Sequence, residues 1–297
     1  MRHYQNHSLA EYTSIKIGGT AADFFLPETA AELAEILSAR RDCVILGGGS
    51  NQVLGDFFRR AVICLRGLAR EPQIVTPPAG REIPEKTFVR VDAGYSLPRL
   101  VAWSMARGLA GLEILSGIPG TVGGALTMNA GTPRGSFGDV VRGAGIVPPG
   151  GEITEIPAEQ LHFAYRHSEL QAGGVFAGAV AVSVTIVLSG GRNPETLRAA
   201  AREITAGRAS GRIRFPNCGS VFRNPPGGVS AGRLLEEAGM KGESAGALRV
   251  SFVHANFFEN TGGAVFGDFR ELLRRARERV RETSGVELEP EVKMLSD

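Results

Sequence analysis

Cysteine is scarce in this chain: three in 297 residues, at Cys43, Cys64 and Cys218. An odd set without paired spacing excludes a disulfide framework and a cysteine-based zinc cluster, and no metal site is expected. Cys43 and Cys64 lie in apolar runs and read as small buried hydrophobes. No stretch approaches ~18 uninterrupted apolar residues, and the opening MRHYQNHSLAEYT has no apolar signal core, so a cytoplasmic, soluble protein without membrane insertion is expected. Excess charge of one sign is absent too. A net charge of +2 makes no demand for nucleic acid or an anionic membrane, though local positive charge could serve a phosphorylated small molecule. Internal repeats and low-complexity tracts are missing.

What the chain has in quantity is glycine: 40, with 16 prolines. Glycine is costly inside helices and strands, so this many implies tight turns or close approach of backbone to a ligand. With 43% hydrophobic and 22% charged residues, the composition is that of a globular protein of roughly two ordinary domains.

Strand-like and helix-like signals alternate through the first third. Thr29 and Glu32 form a capping box ahead of Leu33, Ile36 and Leu37 on one helical face. CVILGGGSN then runs from an apolar strand into a glycine turn, and RAVICLRGL reads as another buried strand. Farther on come VRVDAGY and a helix opened by Ser96 that carries Leu100, Val101 and Trp103. GAVAVSVTIVL, 178–188, alternates well enough to predict a long strand with one face on a core. The character changes near 190, where Asn193 caps a helix with Pro194 at its first position. The last helix is capped by Asp268, faces inward with Phe269, Leu272, Leu273, Ala276 and Val280, and ends at Gly285. Its arginines sit among glutamates and read as a solvated face.

Two glycine segments could hold an anionic ligand. LGGGSN, 46–51, follows a strand, and its glycines let backbone N–H groups approach without an obstructing Cβ. It is neither a Rossmann fingerprint nor a Walker loop, which also needs Lys-Ser/Thr. SGIPGTVGGALTMNAG, 116–131, offers five glycines and only Ser116, Thr121, Thr127 and Asn129 as side-chain hydrogen-bonding groups. Such a segment suits a wall against a large flat ligand, or equally a buried, turn-rich crossover. The pair is more telling than either alone, since a dinucleotide has both a pyrophosphate and a ring to hold.

GGGSN, SGIPGTVGGAL with MNAG, YRHS, GSVFRNP and LEPEVK occur in an order that resembles the UDP-N-acetylenolpyruvoylglucosamine reductase family, over about 13–295. The length, without a long insertion in the last part, is similar to the shorter, second type. The resemblance implies an α+β chain with the FAD-binding fold of the vanillyl-alcohol oxidase type. Two α+β FAD-binding subdomains, 1–67 and 68–190, would precede an α+β substrate-binding subdomain, 191–297, whose C-terminal tail returns to the active site. It implies noncovalent FAD, consistent with the lack of His or Cys in either glycine segment, and NADPH as co-substrate. The reaction implied is reduction of an enolpyruvyl group on a UDP-sugar to a lactyl ether. This is a step of peptidoglycan precursor synthesis, and so of cell-wall biogenesis, cell shape and division. A monomer is favoured.

Cofactor contacts carried over from the family are Gly47, Gly48, Gly49, Ser50 and Asn51, then Ser116, Gly117, Ile118, Gly120, Thr121, Gly123, Gly124 and Ala125. The chemistry asks for three further groups. Hydride added to one carbon of an enol-ether acrylate pushes charge onto its neighbour and the carboxylate, so a cation, a proton donor and an enolate stabiliser are needed. Arg166, whose planar fork suits a carboxylate, is the cation, beside Tyr165. Ser220 matches the family's proton donor. A serine nucleophile is rejected, because CGSVF is not a G-x-S-x-G elbow. Glu291 matches the third catalytic residue, and to hydrogen-bond an enolate it needs burial that keeps its proton. If 287–291 is a strand, Glu287 and Glu289 share its face as exposed bystanders. Asn224, Arg208 and Lys241 match positions on the substrate's diphosphate. His254 matches a substrate-side position and reads equally as a satisfied histidine near a strand.

Three segments depart from the family pattern. Thr132-Pro133-Arg134-Gly135 replaces the usual Ala-Tyr-Gly after NAG, removing an aromatic contact to substrate; ASGRIRFPN follows Arg208; and YTSIKIGG replaces a more usual Asn-Thr-Phe. None removes a catalytic group. Two other readings are weighed. A different oxidoreductase on the same flavin fold would need no Ser220–Glu291 pair, and a noncatalytic nucleotide-binding protein would show decayed catalytic positions.

Overall fold

The computed structural model describes residues 1–40, 42–76, 83–206 and 213–297. Arg208 lies outside the described residues. The chain divides into two compact units. The first comprises Met1–His3, Phe25–Gly48 and Val62–Gly207; the second comprises Tyr4–Phe24, Gly49–Ala61 and Arg208–Asp297. These seams differ from the 67/68 and 190/191 boundaries expected above. Strands β1 (Arg2–Ser8) and β2 (Thr20–Leu26) are sheet neighbours. In the first unit, helix α1 (Ala30–Ala39) starts at Thr29, whose hydroxyl accepts the Glu32 N–H as the capping signature predicts. Strand β3 (Cys43–Leu46) follows. In the second unit are β4 (Gln52–Leu54) and β5 (Phe57–Phe58), which pairs in parallel with β2. β6 (Ala61–Cys64) is the neighbour of β3.

The first unit is built on an antiparallel five-stranded sheet of order β12-β11-β13-β8-β7. Its strands are β7 (Gln73–Val75), β8 (Lys86–Asp92), β11 (Val141–Val147), β12 (Thr154–Pro157) and β13 (Val180–Ser189), with the hairpin β9 (Gly131–Thr132) and β10 (Gly135–Ser136) inserted between β8 and β11 in sequence. β13 was expected to bury one face. Both are buried: Val184, Ile186 and Leu188 enter the main core, and Ser183 and Val187 on the other face are buried as well. Each covered residue adds ~1.5–3 kcal/mol if it is aliphatic. Helix α2 (Leu97–Ala106), capped by Ser96, contributes Leu100 and Val101 to this core. Helix α3 (Val122–Thr127) packs on β8 and β13. Helix α4 (Pro194–Ala206), begun by Asn193 and Pro194, packs on α2 and so belongs to this unit.

The second unit carries an antiparallel sheet of order β14-β17-β16-β15, made by β14 (Asn217–Ser220), β15 (Ser244–Ala245), β16 (Leu248–Val250) and β17 (Phe257–Asn260). Helices α5 (Ala231–Glu237) and α6 (Phe266–Ser284) pack together, and α6 covers β15 and β16. Phe258 meets Phe222 edge-on at 6.3 Å and Phe269 at 5.6 Å, forming the aromatic centre of the core. The inward face of α6 is as its periodicity predicts, and Gly285, at φ +72°, ends it. Its cap differs: Val265 is the N-cap, and Asp268 sits a turn inside, accepting the Val265 N–H at 3.1 Å. The α6 arginines pair with Glu271 and Glu278 on the exposed face. Strand β18 (Lys293–Leu295) pairs in parallel with β4. No helix among the described residues is long and apolar enough to cross a membrane.

Candidate active site

In the first unit the two glycine segments meet. A Cβ on Gly48 would lie 2.6 Å from the Gly120 Cα, and one on Gly47 would lie 2.8 Å from the Thr121 hydroxyl, so the backbones touch where side chains are absent. Arg66 donates to the Gly48 carbonyl at 2.9 Å. The N–H group of Gly48 finds no protein acceptor among the described residues, and a free donor in a glycine loop is what an anionic group needs. Thr121 caps α3, its hydroxyl accepting from Gly124. Gly117 and Gly124 are exposed, and Gly120 takes φ +108° while its carbonyl accepts the Leu97 N–H. Ser116 is buried and Ile118 packs on the core. Gly123 and Ala125, also expected at the cofactor, lie in α3. Both are buried, and the Gly123 N–H goes to the Ala93 carbonyl at 2.7 Å.

Arg166 sits in the same unit on a tight hairpin. Ala164 and His167 exchange backbone hydrogen bonds at 3.1 and 3.2 Å, leaving Tyr165 and Arg166 as the loop. Arg166 has φ +53°. Strain of ~1–3 kcal/mol at a non-glycine residue persists only where the surroundings enforce it. They do: the Gln171 amide donates to the Arg166 carbonyl, and the Asn129 amide to the Ala164 carbonyl. The guanidinium donates to the Gly131 carbonyl at 3.0 Å and lies 5.2 Å from the exposed Tyr165 ring. Asn129 and Gln171 are supports that sequence reasoning missed; NAG gave a signal for the first. Thr132 and Gly135 close a short hairpin where the family carries its aromatic.

In the second unit the places of Ser220 and Glu291 are linked by backbone. Val221 and Phe222 are both fully buried, which anchors Ser220 at the half-buried end of β14, where it pairs with Phe257. Gly219, just before it, has φ +76°. The Glu291 N–H donates to the Val221 carbonyl at 2.8 Å, and the Arg223 N–H donates to the Glu289 carbonyl at 2.9 Å. This segment was expected as a strand. Only Pro290 bridges, to Phe222, and the strand begins later, at Lys293. Glu287 and Glu289 are exposed and Glu291 is half-buried. Asn51 does work the sequence did not reveal: its amide donates to the Glu291 carbonyl at 3.2 Å, and its carbonyl accepts the Lys293 N–H. Ser14, in the divergent YTSIKIGG, donates to the Asn217 carbonyl at 2.6 Å while its N–H reaches the Gly49 carbonyl.

Around α5 the structure gathers the remaining substrate-side residues. The Asn224 side-chain oxygen accepts the Ala231 N–H at 3.0 Å. Lys241 pairs with Glu236 at 2.6 Å. His254 packs against Gly232, where a Cβ would lie 2.5 Å from its ring. Its Nδ1 accepts the Asn256 N–H, which leaves the proton of the neutral ring on Nε2. Burial, with the nearby Lys241 charge adding to it, pushes the His254 pKa down. Burial likewise pushes the Cys218 thiol up to about 12.

Apposed glycine loops in the first unit suit a dinucleotide, and the comparisons with known proteins identify the chain as a flavin-dependent oxidoreductase. Residues 21–157 match the FAD binding domain family, and residues 211–295 match the C-terminal domain of UDP-N-acetylenolpyruvoylglucosamine reductase. The reductase of that name from Heliobacterium modesticaldum is 36% identical, covering 99% of this chain and 90% of its own. That from Geotalea uraniireducens is 37% identical, over 98% and 93%. The crystal structure of the Thermus caldophilus enzyme is 32% identical, with a TM-score of 0.79 over 99% of this chain and 98% of its own. The chain belongs to the UDP-N-acetylenolpyruvoylglucosamine reductase family.

Proposed function

We propose that this chain reduces UDP-N-acetylglucosamine enolpyruvate to UDP-N-acetylmuramate, using NADPH, in peptidoglycan precursor synthesis. The observation that carries the reading is the hydrogen bond from the Glu291 N–H to the Val221 carbonyl at 2.8 Å, which ties Glu291 to the residue that follows Ser220. FAD, held noncovalently, supplies the passage of hydride from NADPH to the methylene carbon of the enolpyruvyl group. The residues fit it: the glycines that let backbones close up, the unengaged N–H group of Gly48 and the exposed Gly117 and Gly124 are what a pyrophosphate and a flat ring require. Gly47, Gly48, Gly49, Ser50 and Asn51 would hold it, together with Ser116, Gly117, Ile118, Gly120, Thr121 and Gly124.

The chain's own side chains do the rest. Arg166, already fixed by its hairpin, takes the substrate carboxylate, with Tyr165 beside it. As hydride arrives, charge moves to the ether-bearing carbon and the carboxylate. A serine hydroxyl is a weak acid, so the Ser220 Oγ–H can protonate that carbon only while Glu291 and Arg166 stabilise the enolate. Asn224, Lys241 and Arg208 engage the diphosphate, and His254, whose Nδ1 is taken by the Asn256 N–H, has its Nε2–H to offer the substrate. The organisation proposed with this reading is two FAD-binding subdomains, 1–67 and 68–190, and a substrate-binding part, 191–297, in a cytoplasmic monomer.

The test is NADPH oxidation by the purified protein with and without UDP-N-acetylglucosamine enolpyruvate. Substrate-dependent turnover is expected. A yellow protein that oxidises NADPH no faster with this substrate would leave the fold standing and overturn the roles of Ser220 and Glu291.

A further inference from the structure

Ser220 and Glu291 take their places from a two-residue stretch, Val221 and Phe222, and one residue outside the mechanism above holds that stretch. Asn256 is 3% exposed. Its side-chain amide donates to the Phe222 carbonyl at 2.8 Å, and its side-chain oxygen accepts the Phe222 N–H at 2.9 Å. Its main-chain carbonyl accepts the Val221 N–H, also at 2.9 Å. The remaining backbone group, the Val221 carbonyl, accepts from Glu291 at 2.8 Å and Val292 at 3.3 Å.

The regular ladder breaks off here: the register between β14 and β17 is already irregular between Asn217 and Ser220, β14 ends at Ser220, and the next two residues, Val221 and Phe222, are both buried. Beyond the Ser220–Phe257 pair the Asn256 side chain stands in for a peptide group, offering one donor and one acceptor to Phe222. A buried amide in this position has no water to exchange with, so its loss cannot be made good from solvent.

We propose that Asn256 is a positioning residue for the proton transfer. By clasping Phe222 it fixes the direction in which Ser220 leaves β14, and through the Val221 carbonyl it fixes Glu291. The inference rests on the roles of Ser220 and Glu291 proposed above. Neither role requires Asn256 to touch substrate or cofactor.

Asn256→Asp tests it. The aspartate keeps the shape and the acceptor for the Phe222 N–H, and once ionised it has no proton to donate to the Phe222 carbonyl; because burial raises its pKa, the variant is assayed at alkaline pH, about 9. Asn256→Ala removes both contacts, and the isosteric variant guards against the alanine failing to fold. Rapid mixing separates reduction of bound flavin by NADPH from its reoxidation by UDP-N-acetylglucosamine enolpyruvate. For Asn256→Asp the first step should stay within about twofold of the unaltered enzyme. The second should slow by about tenfold to a hundredfold, the scale of an ångström-sized misplacement, with little change in KM. In the flavin-free protein, hydrogen exchange of the Glu291 amide should quicken while amides of α6 keep their protection. Equal loss in both steps, or an unchanged Glu291 amide, overturns the proposal and makes Asn256 a structural residue only. Ser220→Ala is the reference. If it slows reoxidation and Asn256→Asp does not, this inference alone falls; if it slows nothing, the reading of Ser220 falls and the positioning role with it.

Discussion

Gly123 and Gly124 stand side by side in the first turn of α3, and replacing each by alanine should move stability in opposite directions. Both are helical, so alanine gains up to ~1 kcal/mol of propensity at either position. At Gly124 nothing opposes this: an added Cβ meets only the Thr121 hydroxyl, at 3.5 Å. At Gly123 the Cβ would lie 2.9 Å from the Ala93 Cβ and 3.2 Å from the Ala93 carbonyl oxygen. Neither neighbour is the flexible end of a long side chain, and the Gly123 N–H is tied to that same carbonyl. Overpacking of this kind costs ~1–3 kcal/mol, which outweighs the gain. In the flavin-free protein Gly124→Ala should therefore raise Tm by ~1–3 °C, and Gly123→Ala should lower it by up to ~6 °C. The two should differ again when flavin is added. A methyl group on the exposed face of α3 intrudes where the isoalloxazine or pyrophosphate is proposed to lie, so Gly124→Ala should lose flavin readily despite its higher Tm. Differential scanning calorimetry of the flavin-free protein, followed by flavin fluorescence titration, reads both effects. A Gly124→Ala protein that binds flavin as tightly as the parent would refute the assignment of that face. A Gly123→Ala protein as stable as the parent would refute the packing argument.

Phe222→Ala should destabilise the second unit by about 3–5 kcal/mol, because the ring is fully buried against Phe258; urea unfolding followed by a probe on α6 measures it. The Cys218 thiol, pushed up to about 12 by burial, should be inert to Ellman's reagent at pH 8 in the folded protein and react only as it unfolds; rapid labelling under native conditions would contradict this. The folded pKa of His254 lies below its unfolded value, because burial penalises the charged ring. The unfolded chain then binds more protons, so this contribution to stability is complete above the unfolded pKa of about 6.5 and declines as pH falls below it. His254→Gln should flatten that acid limb in a Tm-versus-pH series, and an unchanged limb would assign it elsewhere.

Elements whose signals are local were legible from the chain alone. The caps at Thr29, Ser96 and Asn193 work through residues two or three positions away, and the inward face of α6 follows from its own periodicity. What escaped depends on partners far along the chain. β13 looks half-exposed in sequence, but residues on both of its faces are buried, and α3, far from it along the chain, packs on it. Asp268 has the composition of a cap, yet Val265 occupies that position and Asp268 serves from inside the first turn. The 287–291 segment alternates like a strand, but only Pro290 finds a bridge partner. The site divides in the same way. GSVFRNP and LEPEVK point to Ser220 and Glu291, whereas the work of Asn51 and Asn256 lies in bonds to residues 240 and 34 positions away. The close approach of Gly123 to Ala93 escaped for a different reason, since a glycine that admits a ligand and one that admits a neighbouring backbone look alike in sequence.

The parallel pairing of β18 with β4 bears on the order in which this protein can be made. The second unit is assembled from three separate stretches of chain, and its last strand closes on residues emitted from the ribosome some 240 positions earlier. The first unit, mostly the continuous run Val62–Gly207, can condense while synthesis continues. Until residues 293–295 emerge, Gln52, Val53 and Leu54 lack their partner strand. Long-range closure of this kind is slow and leaves an unpaired edge exposed in the meantime. A nascent chain stalled short of Lys293 should therefore hold a folded first unit and a protease-sensitive second one, and competence for the chemistry should arrive only with the final strand.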